Sequence, residues 1–308
     1  MADDPLVSIV IATRNRKAEV LRALESCFAQ RYSEFEVLVF DDASTDGTSD
    51  AIASQFPQVR LFCESTCRGY IVLRNRGFHE SHGKYIFSID DDAYYTNPDS
   101  IEPVVRLLEQ IPRIGAVAMP YTEPGQHKKL LFKGDMTSDV RSYVGCAHAI
   151  RRQVVLDLGG YRDFFVHQGE ERDLCVRMID RGFRIAQIDI PPIVHSVSPQ
   201  RSHLWIERYA IRNTLLFDVI NVPIQFVLPR LVIDAVALIT WMPNWPMTMY
   251  RVYFVLWGLV SCFKYLPRRR PVSSRAYQIY RSLPLHGPLA RPLAESESLA
   301  STEILSCS

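Results

Sequence analysis

The chain has 308 residues, enough for two ordinary domains or one large one. Its 47% apolar and 22% charged residues are typical of a packed globular protein and exclude a disordered chain. A net charge of +1 gives no electrostatic reason to expect a nucleic-acid partner, and we predict none. The acidic first residues reach a strand pattern within six positions, so we expect no secretory signal and a cytoplasmic location.

Strand and helix patterns alternate along the first 120 residues. We expect apolar, β-prone strands at 7–13, 36–40, 60–63, 85–89 and 115–119. Helical spacing of apolar residues lies between them, over 20–28, 48–56, 68–82 and 98–110. This βαβ order predicts an α/β fold with a mostly parallel sheet, whose ligands bind at the carboxyl ends of the strands.

Three polar clusters fall at those strand ends, namely 13–15, 41–42 and 90–92. The last is a run of three aspartates, which repel one another unless a cation or several donors neutralise them. Oxygen ligands of this kind suit Mg²⁺ or Mn²⁺ together with a substrate's phosphates. The alternative is a solvated acidic turn. Neither GxGxxG nor GxxxxGK[ST] follows a strand, which argues against a dinucleotide fold and against a phosphate-binding loop.

Four motifs, at 7–16, 40–48, 73–77 and 85–92, resemble in order and spacing those of family 2 glycosyltransferases. The resemblance spans roughly residues 6–215. It implies the GT-A fold, which is Rossmann-like, and a nucleotide-sugar donor. It also implies a divalent metal, Mg²⁺ or Mn²⁺, and inversion at the anomeric carbon.

The resemblance also implies roles for single residues. Asp41 or Asp42 would hydrogen-bond the base of the nucleotide. Asp90 and Asp92 would be the outer members of the metal-binding DxD motif, with Asp92 preferred as the direct ligand. The other residues expected at the donor are Thr13, Arg14, Arg74 and Asp91. For Arg74 the alternative is a solvated charge on a helix.

The second half carries an acidic run, residues 169–177, that is similar to the family's GEDxDLxxR segment. The second acidic residue of that segment is the usual catalytic base, so we predict Glu171 as the base, with Glu170 in reserve. The family more often has Asp at this position. Acidic residues are also favoured at a helix N-terminus, which is the structural alternative. His195, after a later strand, resembles a metal or diphosphate contact, although a lone histidine is often structural.

From about residue 198 the composition changes. Two apolar stretches, 226–242 and 252–263, are too short or too interrupted to span a bilayer. Between 201 and 281 there are eleven basic and three acidic residues, interleaved with aromatic ones. This pattern predicts a membrane-proximal segment that lies in the lipid interface. The alternatives are a helical subdomain packed on the core, and a re-entrant or spanning hairpin.

The sequence therefore predicts a GT-A catalytic domain over 1–200, with a nucleotide half (1–120) and an acceptor half (121–200). A helical amphipathic region over 201–284 and a disordered tail over 285–308 would follow. We expect an inverting, metal-dependent hexosyltransferase of polysaccharide biosynthesis. It would use a UDP- or dTDP-sugar and a glycan or lipid-linked acceptor, at the inner face of the cell membrane. The alternatives are a nucleotidyltransferase and a non-catalytic membrane-docked binding protein.

Overall fold

A computed structural model describes residues 6–124, 138–196, 202–240 and 245–285. Eleven strands lie in these ranges, and they form one eight-stranded sheet and one small three-stranded sheet. The strands are β1 Val7–Thr13, β2 Phe35–Asp41, β3 Arg60–Cys63, β4 Tyr85–Ile89, β5 Ala93–Tyr94, β6 Ile114–Ala118, β7 Tyr121–Thr122, β8 Ser138–Asp139, β9 Ala147–Arg151, β10 Arg184–Gln187 and β11 Ile193–His195.

Ten α-helices lie in the same ranges, six among the strands and four after them. They are α1 Lys17–Phe28, α2 Thr48–Gln55, α3 Tyr70–Glu80, α4 Ile101–Gln110, α5 Arg152–Asp157, α6 Glu170–Asp180, α7 His203–Asn221, α8 Ile224–Thr240, α9 Trp245–Tyr265 and α10 Ser274–Ser282. Every strand and helix expected in the first 120 residues is present. The predicted α/β fold class is therefore confirmed. The sequence does not predict the short strands β5, β7, β8 and β11, because two or three residues are too few to show the alternation of apolar and polar side chains typical of a strand.

The large sheet has the order β3-β2-β1-β4-β9-β6-β10-β8. Strands β1 to β4 run parallel, whereas β9 runs antiparallel between β4 and β6. In this pairing Ile89 lies opposite Ala147, so the loop before β9 meets the end of β4. The topology thus brings a second-half segment to the three aspartates.

Apolar side chains cover both faces of the sheet. Along β1, Val10 belongs to one buried cluster, while Ile9 and Ile11 belong to the other. This alternation follows from the two-residue period of a strand. With both faces covered, only the strand ends remain open to ligands.

The C-terminal helices complete one of these two clusters. Phe254 on α9 and Tyr277 on α10 are buried in the same cluster as Val10. Helix α8 has no buried residue, and its apolar side chains are partly or fully exposed. The alternative of a packed helical subdomain therefore describes α7, α9 and α10, but not the outer face of α8.

Among the described helices, none is long and apolar enough to cross a membrane. The expected domain boundary at residue 200 lies outside the described residues. So does the expected disordered tail, apart from its first residue, Leu285.

Candidate active site

A cavity of about 730 Å³ opens at the carboxyl ends of the parallel strands. Its volume is in the usual range for small-molecule sites. Eight of the predicted site residues line it: Thr13, Arg14, Asp42, Arg74, Asp90, Asp91, Glu171 and His195. The other three, Asp41, Asp92 and Glu170, are buried beside it.

The two aspartates at the end of β2 have different surroundings. Asp41 accepts hydrogen bonds from the Ser44 backbone N–H and from the Ser49 hydroxyl, away from the cavity. Asp42 lines the cavity and accepts the backbone N–H groups of Arg68 and Gly69 at 2.5 and 3.0 Å. Of the two candidates for base recognition, Asp42 is therefore the one within reach of a ligand.

The aspartate run is held by groups from β1 and the turn after it. Thr13 donates to Asp91 at 2.9 Å, and Arg16 contacts both Asp91 and Asp92 at 2.8 Å. Burial raises the pKa of Asp91 to about 6, although the Arg16 guanidinium opposes that shift. Arg16 was not among the predicted site residues. Arg16 could have been recognised from its position in the first motif, since that motif ends a strand at the sheet edge where the acidic clusters lie.

His195 reaches the aspartates because β11 pairs with β5, the strand that follows them. In this antiparallel pairing His195 lies opposite Ala93, and the Ser196 N–H donates to the Asp92 carbonyl at 2.8 Å. The imidazole Nε2 lies 3.1 Å from Asp92 Oδ1 and 3.6 Å from Asp90 Oδ2.

These donor atoms fit a divalent cation. Neighbouring ligands at about 2.1 Å from an octahedral ion are roughly 3 Å apart, close to the spacing between His195 and Asp92. The Cys146 thiol lies within 4.8 Å of the ligand atoms of Asp90 and His195. Burial raises the pKa of Cys146 well above its usual value, which disfavours the thiolate. The ionic donors are thus carboxylate oxygens, which suit Mg²⁺ or Mn²⁺.

Arg74 on α3 connects the aspartates to the acidic helix start. Its guanidinium pairs with Asp90, donates to the Gly145 carbonyl at 3.0 Å, and lies 3.9 Å from Glu170. The residue is only 3% exposed. The alternative of a solvated helix charge is therefore wrong for Arg74.

The two glutamates at the start of α6 also differ. Glu171 is half-buried and lines the cavity, whereas Glu170 is fully buried behind it and accepts a 2.7 Å hydrogen bond from Tyr70. Burial raises the pKa of Glu170 to about 8 and also raises the pKa of Glu171. A carboxylate with a raised pKa binds a proton more readily, as a general base must.

Helix α7 fixes the loop that precedes these glutamates. Asn213 donates to the carbonyls of Phe165, His167 and Gln168 at 2.6 to 2.8 Å. The adjacent Arg212 donates to the Phe164 carbonyl at 3.0 Å. The helical region expected over 201–284 includes α7, but the sequence does not indicate that this helix anchors the α6 start.

Sequence reasoning also missed aromatic residues of the cavity wall. Tyr70, His167 and Trp205 all line the cavity, and the His167 and Trp205 rings are 4.4 Å apart. They come from three separate loops and helix starts, and no local motif marks them.

Comparison with known proteins supports the motif resemblance. Residues 8–155 match the family model of glycosyl transferase family 2. A glucosyltransferase of Escherichia coli, UDP-Glc:alpha-D-GlcNAc-diphosphoundecaprenol beta-1,3-glucosyltransferase WfaP, is 36% identical over 92 residues, which cover 29% of this chain and 36% of that protein. The succinoglycan biosynthesis protein ExoO of Rhizobium meliloti is 34% identical over 113 residues, covering 36% of this chain and 31% of that protein. The chain thus spans well under half the length of these relatives.

Solved structures show the same fold. The mannosyltransferase PcManGT from Pyrobaculum calidifontis, in complex with GDP-Man and Mn²⁺, superposes with a TM-score of 0.54 at 17% identity, over 99% of this chain and 81% of that one. S. aureus TarS 1–349 in complex with UDP superposes with a TM-score of 0.54 at 15% identity, over 86% of this chain and 92% of that one. Residues 8–155 thus match glycosyl transferase family 2, and the described chain has the GT-A fold.

Proposed function

We propose that this protein is an inverting glycosyltransferase of bacterial polysaccharide assembly, which moves a sugar from a nucleotide diphosphate to an acceptor hydroxyl. One observation carries the proposal. Asp90, of the aspartate run, and Glu171, at the start of α6, line the same cavity, and Arg74 bridges their two sides. A donor phosphate and an acceptor hydroxyl can therefore meet between them.

The donor side would be formed by β1, β2 and the aspartate run. Asp42 would accept a hydrogen bond from the base, with Thr13 and Arg14 beside it. Asp90, Asp92 and His195 would hold Mg²⁺ or Mn²⁺. Such an ion, when bound, neutralises the charge of the departing nucleoside diphosphate. The name of WfaP includes UDP-Glc, and TarS 1–349 was solved in complex with UDP, which supports a UDP-sugar.

Glu171 would act as the general base. Its carboxylate takes the proton of the acceptor hydroxyl, whose oxygen then attacks the anomeric carbon from the side opposite the leaving diphosphate. The partly buried position favours a raised pKa, because burial disfavours the charged form. Transfer should therefore lose rate at low pH, where Glu171 is protonated.

The acceptor would be a lipid-linked glycan. The name of WfaP gives a diphosphoundecaprenol-linked sugar as its acceptor. A membrane-bound acceptor requires the enzyme to lie at the bilayer, and α8 and α9 offer a suitable face. Their most exposed apolar side chains are Ile224, Leu228, Val260 and Phe263, each between 67% and 77% exposed. Spaced by three or four residues, they form one stripe on each helix.

A thermal-shift and transfer experiment tests the proposal. Wild type is scanned with UDP-glucose, dTDP-glucose and GDP-mannose, each with and without Mn²⁺. We expect one of them to raise the melting temperature only with Mn²⁺, since a ligand that binds the folded state stabilises it. Transfer to a synthetic GlcNAc-diphospho-alkyl acceptor should fall about 10²- to 10⁴-fold in Glu171→Gln, which removes the base. Donor binding should persist in that variant.

Asp92→Asn should instead abolish the Mn²⁺-dependent shift. Glu102→Gln, a change of the same type at an exposed position of α4, serves as the control and should retain both properties. Metal-independent donor binding, or transfer at the wild-type rate by Glu171→Gln, would contradict the proposal.

A further inference from the structure

A second groove lies beside the cavity, between the first turn of α7 and the second and third turns of α9. It has a volume of about 380 Å³. Five apolar or aromatic side chains line it: Leu204, Met249, Tyr250, Tyr253 and Phe254. An apolar groove open to water is costly for a folded protein unless something covers it.

The groove and the catalytic cavity share one helical turn. His203, Trp205 and Ile206 line the cavity, while Leu204, between them in sequence, lines the groove. Successive helix residues point in directions about 100° apart, so a single turn presents both surfaces. A ligand that leaves the cavity past this turn therefore passes directly into the groove.

The residues at this junction suit the head of a lipid-linked sugar. The Trp205 side chain is 42% exposed at the cavity wall, where its indole ring can contact the apolar face of a sugar ring. Arg208 follows Leu204 by one turn on the same face of α7 and rests its guanidinium 4.1 Å from the Trp257 ring centroid. The Arg208 side chain as a whole is only half-buried, so it places a positive charge one turn from the groove, although it lines neither the groove nor the cavity.

We propose that this groove binds the hydrocarbon chain of the lipid-linked acceptor, next to the phosphates that join chain and sugar. The inference rests on the proposed function, because it assigns a binding site to the tail of that acceptor. Contacts in this groove would select a lipid-linked acceptor over a free glycan. Leu204 and Met249 supply the apolar contact, and Arg208 supplies the charge beside it.

Binding of soluble probes tests this assignment without a membrane and without catalysis. Calorimetry compares farnesyl diphosphate, which has a short isoprenoid chain, with inorganic pyrophosphate, which has none. We expect wild type to bind farnesyl diphosphate at least about tenfold more tightly, since each buried methylene contributes to affinity. The double variant Leu204→Gln/Met249→Gln should bind both probes alike. Both side chains are exposed, so the variant should fold.

Leu256→Gln is the matched control, because Leu256 is 58% exposed on the same helix as Met249, at 56%, but does not line the groove. It should keep the wild-type preference. Equal affinity of wild type for the two probes, or an unchanged preference in the double variant, would overturn the assignment. So would farnesol binding as tightly as farnesyl diphosphate, which would indicate a general lipid site. Loss of transfer in Glu171→Gln bears on the proposed function alone, so the two failures are distinguishable.

Discussion

Gly145 lies where the two charged sides of the cavity come closest. A Cβ added there would be 2.8 Å from Arg74 Nη1 and 2.9 Å from Glu171 Oε1, both under the normal contact distance. The sequence showed only a stretch rich in small residues before β9. The glycine lies between the buried Arg74 guanidinium and Glu171, the predicted base. This position could not be predicted, because the tertiary fold brings both side chains to it.

Gly145→Ala should therefore reduce transfer more than it reduces stability. The guanidinium and the carboxylate are the ends of long side chains, and both can move by a few tenths of an ångström. A misplacement of about 1 Å at a catalytic group can cost about 10²-fold in rate, so these smaller displacements should cost a measurable part of that factor. The rate of transfer and the melting temperature, measured on the same sample, check this expectation.

Gly159→Ala is the control, since a Cβ at Gly159 would meet no atom of the described residues within 4 Å. Its φ of +75° makes that change strained, so it should lower the melting temperature while leaving the rate per folded molecule intact. A Gly145→Ala enzyme with wild-type kinetics would show that the close approach has no role in positioning.

At the level of the elements, the contact between α7 and α8 affects the pKa of a buried carboxyl group, Asp218. Asp218 on α7 is 2% exposed and faces Asp234 on α8, which also pairs with Arg230. Burial, followed by the Asp234 charge, raises the pKa of Asp218 to about 8. Helix α7 alone would not produce the whole shift, because the Asp234 carboxylate that adds to it lies on α8.

Stability should consequently fall as the pH rises from about 4 to about 8. In this window the unfolded chain has released the Asp218 proton while the folded protein still holds it, so unfolding becomes more favourable with each added pH unit. One such proton contributes at most about 1.4 kcal/mol per pH unit. Asp218→Asn cannot titrate and should show a shallower decline in urea unfolding free energy. Burial raises the pKa of Glu170 to about 8 as well. Glu170 should therefore also lower the free energy of unfolding as the pH rises, equally in wild type and in Asp218→Asn.

Asp50→Asn, at an exposed position of α2, is the comparison variant and should keep the wild-type slope. A slope in Asp218→Asn as steep as that of wild type would show that Asp218 ionises normally.

At the level of the whole molecule, the apolar stripes of α8 and α9 face away from the shared core. Phe254 and Tyr277 lie inside that core, whereas Leu228 and Val260 are 71% and 67% exposed. Lys264 and Arg268 follow at the end of α9, where cations can meet anionic headgroups. The overall arrangement predicts a catalytic domain held against a bilayer by this face.

Sedimentation with vesicles tests that prediction. Wild type should bind vesicles containing anionic lipid more strongly than neutral ones, and high salt should release it only in part, since salt screens charge but not apolar burial. Leu228→Glu/Val260→Glu should lower binding at least about tenfold, because each side chain contributes roughly 1.5–3 kcal/mol when buried.

Arg106→Glu changes the net charge by the same amount as the double variant, but on exposed α4 of the catalytic domain. It should bind nearly as wild type does. Equal vesicle binding by the double variant and this control would show that the apolar face of α8 and α9 does not bind the bilayer. A wild-type protein that stays in the supernatant at low salt would show the same.

The sequence by itself determined the alternating strands and helices, the match to family 2 glycosyltransferases and the acidic residues proposed for the chemistry. Hydrophobic periodicity and short motifs are local, so Asp90, Glu171 and the first four strands could be recognised without coordinates. Tertiary structure alone decided that Asp42, not Asp41, reaches the cavity, that β5–β11 pairing carries His195 to the aspartates, and that Arg74 is buried. These facts depend on contacts between segments far apart in the chain, whose geometry is set by packing and strand register and leaves no local pattern.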